Sequence, residues 1–295
     1  MAREQAKTEI KQKAVLAESV DDVMNTLDNQ ITEQYIFVVY SLAGGTGSGL
    51  GTFLASVIAE NPNKKVGLVI ILPSMNESLQ ARINTYEALS EIIEIKNELC
   101  SIFILDNNQR EDKFSINRSF ANLFEAYINV ANNTSIRGVI DIAEQKKLLE
   151  TPGIAMIHKA TGTKEDLLST INEGIYVSLE PNKRVKYIGL SQPDTKDTID
   201  VADVINVVGE PIDYYCGYGK TEDTVLYLAG LSFPKTFINK LAESIKAEQD
   251  RVKKVMEDDD LSMDMNINFL ATKPVEKPQK PKSTMRDRLV ASITK

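Results

Sequence analysis

The sequence predicts an α/β protein: a doubly wound, largely parallel sheet, a long central helix, and a smaller C-terminal α/β domain ending in a long helix and a tail. Three observations predict this class. Short apolar runs rich in β-branched residues, Tyr35 to Leu42, Lys65 to Leu72 and Ser101 to Leu105, read as buried strands, and each is followed by a segment with apolar residues at helical spacing. The junction between the first run and its helix is glycine-rich, Gly44-Gly45-Thr46-Gly47-Ser48-Gly49. The same alternation resumes after Ile140, the pattern of a sheet covered by helices on both faces.

In chain order, Arg3 to Gln30 sets Ile10, Ala14, Leu16, Val20, Val23, Met24 and Leu27 among charges without Gly or Pro, an amphipathic helix. After the first strand and the glycines, Leu50, Phe53, Leu54 and Val57 mark a helix to Glu60. Pro73 stops the second strand, Glu77 to Ile95 is the next helix, and the third strand ends in Asp106-Asn107-Asn108. Ile116, Phe120, Leu123, Phe124 and Tyr127 mark a long helix from Phe114 to Ala131, broken at Asn132-Asn133-Thr134 and Gly138. Strands at Ile154 to Ala160, Val185 to Ser191, Ile212 to Tyr218 and Thr224 to Leu231, with helices at Lys164 to Ser178 and Asp197 to Val208, make a second α/β layer structure. Phe237, Ile238, Leu241, Ile245, Val252, Val255 and Met256 then form a stripe on a charged helix running into Glu257-Asp258-Asp259-Asp260. The implied units are 1–112, 113–138 (the central helix), 139–232, 233–260 (the terminal helix) and a flexible tail, 261–295.

Composition narrows the function classes. The chain is 42% hydrophobic and 26% charged, ordinary for a globular protein, and its net charge of −8 argues against wholesale nucleic-acid binding by the folded body. His158 is the one histidine, and Cys100 and Cys216 lie far apart without metal-ligand spacing, so no metal site or disulfide is expected. Both thiols read as reduced core residues. The apolar run Val66 to Leu72 is too short to cross a bilayer, and a cytoplasmic location without membrane association is expected.

The glycine stretch carries the chemistry. A strand feeding a glycine-rich turn into a helix start aims backbone N–H groups outward at the positive end of the helix dipole, a phosphate cradle with Thr46 and Ser48 as extra hydroxyl donors. A P-loop requires Lys and then Ser or Thr after its last glycine, where Leu50 and Gly51 stand. The dinucleotide pattern G-x-G-x-x-G fails at Leu50 in one frame and at Thr52 in the other. A tight packing turn explains one or two glycines, but not five in the eight positions from Gly44 to Gly51.

This loop resembles the signature of the tubulin/FtsZ superfamily, G-G-G-T-G-S/T-G, with Ala43 at the first glycine. The order and size of the units resemble that family too, and the charged terminal helix and basic tail look most like its plasmid- and phage-borne TubZ branch. The resemblance implies a GTP-binding domain over 1–112, GTP or GDP with Mg2+ as ligand, and nucleotide contacts from Ala43, Gly44, Gly45, Thr46, Gly47, Ser48 and Gly49. It further implies Glu77 and Arg82 after Pro73, with Arg82 one residue off the matching place, and Asn107, Phe114 and Asn117 around the guanine. Glu77 reads equally as an acid complementing a helix dipole, and Asn107 as a turn former.

Where the family carries N-x-D-x-x-D/E, Val139-Ile140-Asp141-Ile142-Ala143-Glu144 keeps both acids and loses the Asn. The resemblance implies that Asp141 and Glu144 enter the nucleotide pocket of the next subunit in a head-to-tail filament and orient the attacking water, so that the chain is a GTPase whose hydrolysis waits for polymerisation. The alternative is two acids favourably placed in the first turn of a short helix. One departure stands out: the family's first strand and two further phosphate-contacting loops precede the cradle, whereas only the Arg3 to Gln30 helix does here. That departure and Val139 keep open a tubulin-like filament or interaction protein with weak or no GTPase activity. A small-molecule phosphate-binding enzyme is a further alternative, weakened by having no catalytic group besides carboxylates. Residues 271–295 hold seven basic and two acidic residues and three prolines, a net of +5 that leaves −13 on the rest. Either this charge keeps a linker solvated, or it docks on an acidic partner; the resemblance implies a DNA-binding adaptor and centromere complex, and a role in plasmid or phage DNA segregation.

Overall fold

The computed structural model describes residues 22, 25–26, 29–194 and 199–258, the side chains of 256–258 excepted. Most of the expected Arg3 to Gln30 helix and the whole of 261–295 lie outside these residues; the described positions 22, 25, 26, 29 and 30 are helical.

The elements run β1 (Tyr35–Ser41), α1 (Gly45–Ala59), β2 (Lys65–Leu72), α2 (Leu79–Ile95), β3 (Ser101–Asp106), α3 (Lys113–Asn129), a 3-10 turn (Val130–Asn132), α4 (Ile142–Glu150), β4 (Gly153–Ala160), α5 (Lys164–Asn172), β5 (Tyr187–Pro193), α6 (Val201–Val208), β6 (Asp213–Gly219), β7 (Thr224–Leu231) and α7 (Lys235–Asp258). The strands form a sheet of order β1-β2-β3-β4-β7-β5-β6. Only β7 runs against the rest, pairing antiparallel with β4 and β5. The two α/β units expected from the sequence are thus joined in one sheet, through a short parallel seam that pairs Ser101 with Gly153 and Ile102 with Ile154.

Helices cover both faces, and β1 shows how. Phe37 and Tyr40 are three residues apart and therefore point to opposite faces of the strand. Phe37 meets Phe124 of α3 at 5.3 Å between ring centroids, and Gly67 on β2 leaves room for its ring, since a Cβ there would sit 2.3 Å away. Tyr40 meets α1, donating to or accepting from Thr52 Oγ1 at 2.9 Å, and Gly51 is glycine because a Cβ would lie 2.5 Å from the Tyr40 ring. The aromatic stripe of α3 extends over Phe103 and Tyr227, so the central helix spans β1, β3 and β7. Strands β3 and β7 are buried along their whole length, as a sheet sandwiched between helices requires.

The expected helix Lys164 to Ser178 is shorter than its periodicity suggested. It stops at Asn172, and the chain returns to β3, with Asp106 N–H donating to Ile175 O at 2.9 Å and Val177 N–H to Ile104 O at 3.1 Å. Burial pushes His158, wholly inside on β4, down to about 4, so the lone histidine is a neutral core residue against Tyr176. Cys100 is buried as expected, whereas Cys216 is exposed on edge strand β6.

Candidate functional site

The C-terminal ends of β1, β2 and β3 lead into three loops along one sheet edge. The glycines do not form a free loop: the helix begins inside them. Gly44 is the N-cap, extended at φ −87 and ψ 143, and Ser48 N–H donating to Gly44 O at 3.0 Å is the first rung of the ladder. The N–H groups of Gly45 and Gly47 therefore have no acceptor within the helix. A side chain normally serves such groups. Ser78, Asp112, Asp141, Thr163 and Asp200 cap α2 through α6, whereas α1 has no side-chain cap and no acid in its first turn. Its positive end is left for an outside anion.

The glycines divide into two kinds. A Cβ on Gly44 or Gly45 meets nothing within 4 Å, so these two keep the mouth of the cradle open. One on Gly47 lies 2.6 Å from Ser41 O, so Gly47 lets α1 seat on β1. Gly49 is buried and Thr46 exposed. The Ser48 hydroxyl, expected as a phosphate donor, instead donates to Gly44 O at 2.7 Å inside its own first turn. Ala43 is fixed from both sides: its N–H donates to Ser41 Oγ at 3.3 Å, and its carbonyl accepts from Asn84 Nδ2 at 3.0 Å. Asn84 is held in turn by Gln80 at 2.7 Å.

The other two loops are tied together by Asn108. Its amide donates to Pro73 O at 3.2 Å and its Oδ1 accepts from Met75 N–H at 2.7 Å, while buried Asp106 accepts from both its side chain and its backbone. Glu77 accepts from Ser74 N–H at 3.1 Å and pairs with Lys113 at 2.8 Å, which pins the start of α3 to the β2–α2 turn. Ser78, not Glu77, caps α2. Phe114 then stands 78% exposed on the first turn of α3, with exposed Asn117 three residues on, hence on the same face. Asn107 Oδ1 is buried without a hydrogen-bond partner. An exposed ring, a buried unpaired acceptor and an uncapped helix start on one edge suit a base joined to phosphates. Arg82 does not join them: its guanidinium points to α7 and donates to Ser244 O at 3.5 Å.

Asn84 and Asn108 were absent from the sequence-based set. Asn at a strand end is an ordinary turn former, and nothing local marks an Asn on α2 as the partner of a carbonyl 41 residues away.

Asp141 and Glu144 lie elsewhere. Asp141 caps α4, its Oδ1 accepting from Glu144 N–H at 2.8 Å while Glu144 Oε2 accepts from Asp141 N–H at 3.0 Å, a reciprocal capping box. The start of α4 packs on the end of α3, where Gln145 Nε2 donates to Tyr127 O and the Tyr127 hydroxyl donates to Gln145 O. Its far end meets the start of β1, where the Tyr35 hydroxyl donates to Glu150. The 17 residues of α3, about 25 Å at 1.5 Å per residue, thus separate the acids from the cradle edge. Among the described residues no group of three or more His, Cys, Asp and Glu is placed to hold a metal, and no helix is long and apolar enough to cross a membrane.

Comparison with known proteins agrees with this architecture. The tubulin/FtsZ family GTPase domain matches residues 4–113. The tubulin-like protein TubZ of Clostridium botulinum C phage is 30% identical over 254 residues, covering 82% of this chain and 68% of the phage protein. The crystal structure of Clostridium botulinum phage c-st TubZ superposes with a TM-score of 0.73 at 24% identity, over 82% of this chain and 81% of that one. GDP-form protofilaments of Bacillus thuringiensis serovar israelensis TubZ give a TM-score of 0.69 at 20% identity, over 82% and 74%. The chain belongs to the tubulin/FtsZ family.

Proposed function

We propose that the protein is a GTPase that polymerises head to tail with GTP, and that each subunit's nucleotide is hydrolysed with the acids of its neighbour. The observation that carries this reading is the separation just described: within one chain α3 holds Asp141 and Glu144 a helix length away from the cradle, so acids that act on the nucleotide must come from another copy. The α1 start would receive phosphate oxygens on backbone N–H groups, Phe114 a base face, and Asn107 and Asn117 the polar edge of guanine. Mg2+ would arrive with the phosphates and neutralise their charge. The capping box uses Asp141 Oδ1 and Glu144 Oε2. Each carboxylate keeps a second oxygen with which to orient a water. Phosphoryl transfer asks little more of protein than such positioning.

The finer assignments belong to the same proposal: a cytoplasmic protein with nucleotide domain 1–112, central helix 113–138, activation domain 139–232, terminal helix 233–260 and tail 261–295. The tail would dock on a DNA-bound adaptor during plasmid or phage partition. A second reading, a filament or interaction protein with weak or no GTPase activity, is favoured by one observation, that both acids already serve a helix cap. Light scattering and phosphate release with GTP separate the two. The first reading expects Asp141→Asn to assemble with GTP but to release phosphate about 10²-fold more slowly than the native chain. Slow, equal release from both chains supports the second.

A further inference from the structure

Between α3 and α4 the chain crosses residues 133–141 without regular structure, yet it is fastened at every second or third residue to the C-terminal ends of β5 and β6. Asn133 Nδ2 donates to Ser191 Oγ at 3.2 Å, and the Ser135 hydroxyl donates to Asp194 Oδ1 at 2.7 Å. Arg137 donates from Nη1 to Asp194 O at 3.1 Å, lays its guanidinium 3.9 Å from the centroid of the Tyr218 ring, and its own N–H donates to Ser135 Oγ at 3.0 Å. Gly138 then takes φ +117, a conformation that favours glycine, and its carbonyl accepts from Tyr218 N–H at 3.0 Å. Ile140 is buried, and Gly217 beneath it has no room for a Cβ, which would lie 2.5 Å from Ile140 N. Asp194 is fixed to the same strand end, its N–H donating to Gly219 O at 2.8 Å. Asp141 follows Ile140 directly, so its position is set by this fastening.

We infer that Arg137 is a positioning residue for the acidic pair: its grip on Asp194 and Tyr218 fixes residues 133–141 against β5 and β6 and so aims Asp141 and Glu144 at the neighbouring subunit. The inference rests on the reading given under Proposed function. Arg137 suits the task because a planar guanidinium stacks on a ring and donates in its own plane at once, which an ammonium does less well. Apolar burial of Ile140 and the Gly138 to Tyr218 backbone bond hold the segment near the strands without Arg137. Its removal therefore loosens the aim of the acids rather than releasing the loop.

The test measures phosphate release per polymerised subunit, critical concentration, GTP affinity of the unassembled chain and melting temperature, on full-length protein. Arg137→Ala is expected to keep GTP affinity and to lose roughly 10- to 100-fold in release per polymerised subunit, the scale on which a small misplacement acts. Arg137→Lys is expected to recover part of that loss, and Tyr218→Phe, which keeps the ring, to behave as the native chain. Tyr218→Leu is expected to reproduce the part of the alanine variant's loss that comes from the ring contact, and the double variant to add nothing to Arg137→Ala, from which that contact is already absent. A purely structural role moves melting temperature and critical concentration while leaving release per polymerised subunit unchanged, and that result overturns the inference. Asp141→Asn, measured alongside, separates the two layers: native release from it overturns the reading of the acids themselves, whereas slow release from it with native release from Arg137→Ala overturns the inference alone.

Discussion

Two helix starts in this chain have opposite chemistry. Helix α4 begins with Asp141, whose carboxylate and that of Glu144 satisfy the first N–H groups from inside the chain. Helix α1 begins with Gly44, which has nothing to offer them. A closed start of the first kind stabilises its helix and presents carboxylate oxygens outward, whereas an open start of the second kind stabilises little until an anion arrives. The comparison teaches that the ligand end of a helix is found by the missing cap, and that acids in a cap remain available for chemistry on their outer oxygens.

Closing the open start is the largest expected effect. Gly44 is extended and has open space around its Cβ position, so Gly44→Asp is sterically free, and its carboxylate would take the place of the outside anion. Binding of a labelled GTP analogue should disappear, while stability should rise by only roughly a few tenths of a kcal/mol, because glycine is itself a serviceable N-cap residue. Opening the closed start is next. Asp141→Ala and Asp141→Asn should slow phosphate release in filaments alike, by about 10²-fold. Only the alanine chain should also lose about 1 kcal/mol in denaturant titration, because Asn caps nearly as well as Asp. A chain whose hydrolysis follows the cap, normal with Asn and lost with Ala, would reduce Asp141 to a structural residue.

Two smaller changes sharpen the same contrast. Gly47→Ala drives a Cβ toward Ser41 O and should cost about 1–3 kcal/mol by overpacking, read as a lower melting temperature with GTP affinity weakened only as far as α1 shifts. Asn84→Ala removes the donor to Ala43 O and should cost about 0.5–1.5 kcal/mol, read in the same melt, with GTP affinity falling only severalfold.

Much of this was legible because it is local. The β-branched runs mark all seven strands of the sheet to within two residues, and β2, Lys65–Leu72, and β7, Thr224–Leu231, agree at both ends. The cradle was legible as chemistry, since five glycines and two hydroxyls between a strand and a helix have few other uses. Its geometry was not. Glycine is a poor helix former, so the helix was expected from Leu50, yet it starts at Gly45. The roles of Gly44 and Gly47 differ through what surrounds them in space, which no spacing reveals. The end of α5 and the joining of β3 to β4 escaped for the same reason, being contacts between segments distant in sequence. Arg82 was expected near the nucleotide and instead faces α7, because α2 packs its flank on that helix.

The central claim is that an open start on one copy works with a closed start on the next, and a mixing experiment tests it most directly. Gly44→Asp chains keep their acids without binding nucleotide, and Asp141→Ala chains bind nucleotide without the acid, so neither alone should release phosphate from GTP above background. Combined in equal amounts, Asp141→Ala subunits gain neighbours that carry Asp141, and release should rise well above the sum of the two separate rates. A mixture whose rate equals that sum, although the two chains co-sediment, would contradict the account.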